Sequence, residues 1–267
     1  MVGRKLAAAL LVLAGSYAGL APASAATPGW HLVFSDRFTT LRSAHWTANW
    51  LGSPGQITEP PNSYELAAID PGRASFTKSG LGLSARAVPW TASDGTSFPY
   101  RSGAITGYQK QGYLPPLMAV ARLWVQCSSQ QQIADWPSFW LVGDPYNWPQ
   151  GGEIDIMEGL GGVAAWHAHF VDANGVEGPG GVAPGNWCGW HTFRVVWNSD
   201  GRLGWQYDKT WVGHVTGYTA TTPEFPVIMY SMAPQGTGLS GCPPACGGPV
   251  STNTRLRAAW IRIYHWQ

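Results

Sequence analysis

Short apolar or alternating runs recur along the chain, at residues 31–34, 80–85, 104–108, 118–125, 138–142, 153–158, 165–171, 191–197, 203–207, 227–232 and 257–264. Gly, Pro, Asn and Asp fill the gaps between them. Alternation with a period of two marks strands that bury one face, and beyond the first 25 residues few windows carry the 3.6-residue period of a helix. The pattern predicts an all-β fold, a sandwich of two antiparallel sheets. Residues 47–62 and 175–187 lack such alternation and read as long loops that rim one face.

One run breaks the pattern. Glu153-Ile154-Asp155-Ile156-Met157-Glu158 sets three carboxylates among strand-forming apolar residues, in a chain only 12% charged. On a regular strand Glu153 and Asp155 share a face, but Glu158, five positions from Glu153, faces the other way. One extra residue near Ile156-Met157, a β-bulge, returns Glu158 to the face of the other two. The two glutamate backbones then stand roughly 13 Å apart, and inward-leaning side chains can approach the ~5–5.5 Å of a retaining carboxylate pair. Gly151, Gly152 and Gly159 flank the run, which suggests close approach by a ligand or another backbone. The plainer alternative is a solvated acidic strand face.

The hexapeptide resembles the E-x-D-x-x-E signature of glycoside hydrolase family 16. Trp30-His-Leu-Val-Phe-Ser-Asp36 is similar to that family's opening strand. Asp135-Trp136-Pro-Ser-Phe-Trp140-Leu141 is similar to its W-P-x-F-W-L segment, and Trp148-Pro149 before Gly152-Glu153 to its lead into the catalytic strand. Trp190-His-Thr-Phe193, Val196-Trp197 and Tyr207-Asp208 follow in the family's order. The resemblance implies a β-jelly roll of two curved antiparallel sheets whose concave face is the substrate cleft. It implies a retaining endo-glycosidase with Glu153 as nucleophile, Glu158 as acid/base and Asp155 holding Glu153 between them. Trp148 and Trp140 are expected beside the sugar subsites, His169 in the cleft, and Trp136 in a structural role. The expected partner is a polysaccharide, first β-1,3-glucan or mixed-linkage β-glucan. Galactan-active and transglycosylating relatives, and a lectin-like jelly roll without catalysis, are the alternatives. The chain departs from the family at Asp36-Arg37-Phe38, where Asp-Glu-Phe is common, and at Ala259-Trp260-Ile261-Arg262, which lacks an Asp. The structural calcium that some members hold is therefore not expected, and no cofactor is called for.

Residues 1–25 read as a secretory signal: Arg4-Lys5, an apolar stretch, then Ala23-Ser24-Ala25. Residues 26–267 are then one secreted, extracellular catalytic domain, expected to be monomeric. Sixteen basic against fifteen acidic residues point to neither nucleic acid nor membrane as partner, and so few cations disfavour a sulfated substrate. The sixteen tryptophans exceed what a core of this size needs. Indole faces stack on sugar rings, and about half are expected to pack the core instead. Four cysteines in a secreted chain suggest two disulfides, with three connectivities open. Cys242 and Cys246 close a short loop, and Cys127 and Cys188 each adjoin a strand-like run, so these are the expected pairs. His167 and His169 share a strand face; a metal site built on them is the rival reading.

Overall fold

The computed structural model describes residues 28–236 and 245–267. The proposed signal (residues 1–25) and Cys242 lie outside the described residues. In chain order the strands are β1 (Trp30–Asp36), β2 (Ala67–Ile69), β3 (Ala74–Thr77), β4 (Gly80–Ser84), β5 (Trp90–Thr91), β6 (Ser97–Phe98), β7 (Tyr100–Ser102), β8 (Ala104–Thr106), β9 (Leu117–Val125) and β10 (Trp136–Val142). They continue with β11 (Glu153–Leu160), β12 (Val163–Asp172), β13 (Gly175–Glu177), β14 (Gly180–Val182), β15 (Gly189–Trp197), β16 (Leu203–Tyr207), β17 (Thr210–Val215), β18 (Phe225–Ser231) and β19 (Arg255–Trp266).

Two antiparallel sheets form the body. The outer sheet runs β17-β16-β15-β9-β19-β4-β3, with β1 also on β19; the inner sheet runs β13-β12-β11-β10-β18-β8, with β14 also on β12. Every alternating run predicts a strand that is present, usually within two residues at each end. Residues 175–187 are a correction: they carry β13 and β14, which pair with β12. Three of these strand residues are glycines, so no side-chain alternation marked them. Strand β17 also went unread, because Thr210-Trp-Val-Gly-His-Val215 buries only its last residue.

The core lies between the sheets. The outer sheet contributes Leu123, Phe193, Val195, Trp205 and Ile261, the inner sheet Phe139, Leu141, Ile154 and Ile228, all fully buried. At about 25 cal/mol per Å² of apolar area removed from water, this burial is what sets each strand's facing. Strand β10 shows the result: Phe139 and Leu141 enter the core, while Ser138, Trp140 and Val142 face the concave side. The Cys127–Cys188 disulfide ties the end of β9 to the lead into β15, as expected. Cys246 is also disulfide-bonded.

Candidate active site

Strand β11 carries the three carboxylates at the centre of the inner sheet. Its register with β10 pairs Ser138 with Glu158 and Phe139 with Met157, then skips to Trp140 with Asp155. On the other side Asp155 pairs with His167 and Glu158 with Ala165, so three steps on β11 match two on β12. This is the bulge that the spacing required, at Ile156-Met157, and both of those side chains enter the core. A bulge leaves backbone groups without ladder partners. Here the outer sheet supplies them. Trp205 Nε1 donates to the Asp155 carbonyl at 2.8 Å, and the Tyr207 hydroxyl lies 2.8 and 2.9 Å from the carbonyls of Ile156 and Ala165. The irregularity is fixed through the core.

Glu153, Asp155 and Glu158 consequently line one concave cavity of about 330 Å³. Trp136, Ser138 and Trp140 of β10, Met229 and Ser231 of β18, and Trp50, Asn62 and Glu65 from the preceding loops complete its walls. Residues 47–62 thus do rim the cleft. An oxygen of Asp155 lies within 4.8 Å of a carboxylate oxygen of each glutamate.

Both histidines of β12 reach this cluster. His169 Nε2 is 3.5 Å from Asp155 Oδ2 and 4.0 Å from Glu153 Oε1. His167, which period two could not separate from it, makes the closer contact: Nδ1 to Glu158 Oε2 at 2.7 Å. That nitrogen can donate to a carboxylate or accept from a carboxylic acid, so one geometry serves both states of Glu158. The two rings stack 5.8 Å apart, and each answers a different carboxylate. A His-x-His pair converging on one cation is not what they form.

Trp136 corrects the structural reading. Its Nε1 donates to Glu158 Oε1 at 3.2 Å, and its ring stacks on Tyr64, 6.1 Å away and 11° from parallel. Trp140 lies in the floor, 6% exposed and packed 5.1 Å from Trp50, with a buried Nε1 that has no protein partner. Trp148 stands at the rim, 51% exposed, 5.5 Å from the His169 ring and hydrogen-bonded to Glu153. The short turn Pro145–Asn147 delivers it there.

A fourth carboxylate was missed. Glu65 follows an irregular loop, with only its apolar neighbours Leu66-Ala67-Ala68-Ile69 as a hint of burial. Its Oε1 accepts from the backbone and side-chain nitrogens of Asn62 at 3.0 Å each, and its Oε2 meets the Ser231 hydroxyl. Burial pushes it up to about 8, against the hydrogen bonds from Asn62. Burial, then the Glu158 charge, pushes Glu153 to about 8 as well, against hydrogen bonds from Trp148 and Asp155. Burial, then the charges of Glu158 and Glu153, hold Asp155 well above the carboxylate range. Glu153 and Asp155 are both raised and hydrogen-bonded to each other, so these two titrate together. Asp155 is the least exposed of them and hydrogen-bonds Glu153, which makes it the natural holder of the shared proton.

Residues 125–168, from the end of β9 through β10 and β11 into β12, match the family model of the XgeA-like catalytic GH16 domain. Over that segment, which carries the three carboxylates, the chain is similar to catalytic domains of glycoside hydrolase family 16. A probable glycosidase of Schizosaccharomyces pombe is 31% identical over 28% of this chain. The match spans about a quarter, 26%, of that relative's length. Solved structures of similar fold include the endo-β-1,3-glucanase of Pyrococcus furiosus (TM-score 0.69, 20% identity, 89% of this chain and 95% of that one). They also include LamA of Z. galactanivorans in complex with laminaritriose and laminaritetraose (TM-score 0.68, 20% identity, 88% of this chain and 98% of that one). At such identities these two share the jelly-roll fold.

Asp36 accepts from the Phe38 N–H at 2.7 Å and the Trp46 indole at 3.0 Å, so both its oxygens are engaged. Among the described residues, the clusters of His and acidic groups close enough to hold a cation lie in the cleft.

Proposed function

We propose that this chain is a secreted, retaining endo-glycosidase that hydrolyses a β-linked glucan, β-1,3-glucan before mixed-linkage glucan. The observation that carries the reading is the bulge, which sets Glu153 and Glu158 on one wall of a tryptophan-lined cleft, with Asp155 between them. In this reading Glu153 attacks the anomeric carbon and forms a glycosyl ester, while Glu158 gives its proton to the leaving oxygen. Glu158 then takes a proton from the incoming water, and His167 holds it in place through both states. Asp155, protonated, donates to Glu153 and leaves that carboxyl ionised for attack. The glucan assignment is supported by the fold shared with the endo-β-1,3-glucanase of Pyrococcus furiosus and with LamA in complex with laminarioligosaccharides, and secretion by the leader-like residues 1–25.

Stereochemistry tests the mechanism. A reducing-sugar screen over neutral β-glucans and galactans selects the best substrate. Proton NMR of its earliest product should then show the β-anomer ahead of mutarotation. An α-anomer appearing first would mean direct attack by water and would remove Glu153 from the nucleophile role.

Trp148 gives a second test. Trp148→Ala removes a stacking surface worth about 1–3 kcal/mol in oligosaccharide binding, so KM should rise roughly tenfold or more. It also removes an N–H that favours ionised Glu153, so kcat should fall as well. The melting temperature should change little, because a half-exposed rim residue leaves no cavity. Unchanged kinetics with a large loss of stability would make Trp148 a packing residue.

A further inference from the structure

Eleven of the sixteen tryptophans fall in three places. Trp50, Trp136, Trp140 and Trp148 line the cleft, and Trp46, Trp197 and Trp205 are buried in the core. A third set sits on the solvent face of the outer sheet, on the opposite side of the sandwich from the cleft, and neither packing nor the proposed reaction uses it. Across β15, β9 and β19 the register lines up Trp190, Trp124 and Arg257, and in the next outward row Thr192, Arg122 and Trp260. The row after that places Arg194 and Arg262 on either side of Val120.

Indoles and guanidiniums therefore alternate over the sheet, and they stack. Arg262 lies 4.5 Å from the ring centre of Trp260, Arg257 5.2 Å from Trp124, Arg194 5.6 Å from Trp211 and Arg122 5.7 Å from Trp190. Stacking keeps an arginine's planar N–H fork free at its edge; Arg194 is the exception, its fork already donating to Gln206 and to Met118 Sδ. The indoles stay partly open: Trp190 and Trp211 are 38% and 59% exposed. Arg255 extends the array beside Arg257.

A merely solvated face would mix both signs of charge. Among the described residues, none of these five arginines lies within 4 Å of a carboxylate; the arginine ion pairs belong to Arg42, Arg73, Arg101 and Arg202. The acidic side chain near this face, Asp208 at the β16–β17 hairpin, is taken by His191 at 2.9 Å and the Thr192 N–H at 2.8 Å. The low overall count of basic residues hid their concentration on one surface.

We propose that this outer face is a second carbohydrate-binding site, for an acidic polysaccharide bearing uronate groups. Sugar faces lie on the open indoles, and each carboxylate meets a guanidinium fork in two parallel hydrogen bonds. The site would hold the enzyme on an acidic matrix while the cleft, on the opposite side, stays free for a neutral chain.

Native electrophoresis through gels containing polygalacturonate, dextran sulfate or single-stranded DNA at matched charge tests this on the whole protein. Polygalacturonate should retard the wild type, and salt near 0.5 M should abolish the effect. Arg122→Gln/Arg257→Gln/Arg262→Gln should weaken binding at least tenfold without changing turnover in the cleft, and Trp148→Ala should bind as wild type. If the glutamine variant melts far below wild type, the corresponding lysine variant replaces it and should also weaken binding, because lysine keeps the charge but loses the fork. No retardation of the wild type overturns the proposal, as does retardation undiminished in the arginine variants or lost in Trp148→Ala. Stronger retardation by dextran sulfate overturns the uronate assignment, and stronger retardation by DNA overturns the carbohydrate one.

Discussion

Glu153→Gln is expected to reduce turnover on the best glucan by at least about a thousandfold, because an amide cannot form the glycosyl ester. The same change should not weaken the fold. Glu153 is partly buried beside two other carboxylates and is pushed to about 8 by desolvation and the Glu158 charge. A neutral amide of the same shape escapes both costs. The melting temperature at pH 8 should therefore equal or exceed that of the wild type, and oligosaccharide binding measured by calorimetry should persist. Near wild-type turnover would show that the nucleophile lies elsewhere. Lost binding with a lowered melting point would show that Glu153 is structural.

The second large effect is the pH dependence of stability. Glu65 titrates at its ordinary value of 4.5 when unfolded and near 8 in the folded cleft. Between those values the folded protein keeps a proton that the unfolded chain has released. Stability therefore falls as pH rises through this window, by on the order of 3–5 kcal/mol for this group. Burial raises Asp135 and Glu224 too, so both act with the same sign. The wild-type melting temperature should drop by on the order of 10 °C between pH 5 and pH 8.5. Glu65→Gln keeps the contacts to Asn62 and Ser231 without a titrating proton, and should visibly flatten that decline. A level wild-type profile, or an unchanged slope in the variant, would contradict the burial argument.

What the sequence made legible follows from how locally each feature is determined. The bulge could be derived before any coordinates, because period-two alternation and a five-residue separation leave no other way to put Glu153 and Glu158 on one face. The choice between His167 and His169 could not, because alternation gives a face and not a distance; here both reach the carboxylates, and His167 comes nearer to Glu158. Trp136 read as structural because nothing along the chain reveals that β10 lies directly beside the Glu158 end of β11. Glu65 was invisible for a related reason: its burial is created by Ser231, 166 residues away. Short strands such as β13 and β14 were missed because glycines carry no pattern.

The bulge also has a meaning for inheritance. Along β11 the facing of Glu158 is a matter of parity, not only of identity. Loss of a single in-frame codon between Asp155 and Glu158 would restore a regular strand and aim that glutamate at the core. Trp205 and Tyr207, which pin the irregular carbonyls from the far sheet, would then hold a backbone that no longer matches them. A lineage could thus pass from enzyme to sugar-binding protein with every reactive side chain still encoded. Homologous chains are better compared by counting residues between their carboxylates than by checking that the carboxylates are there.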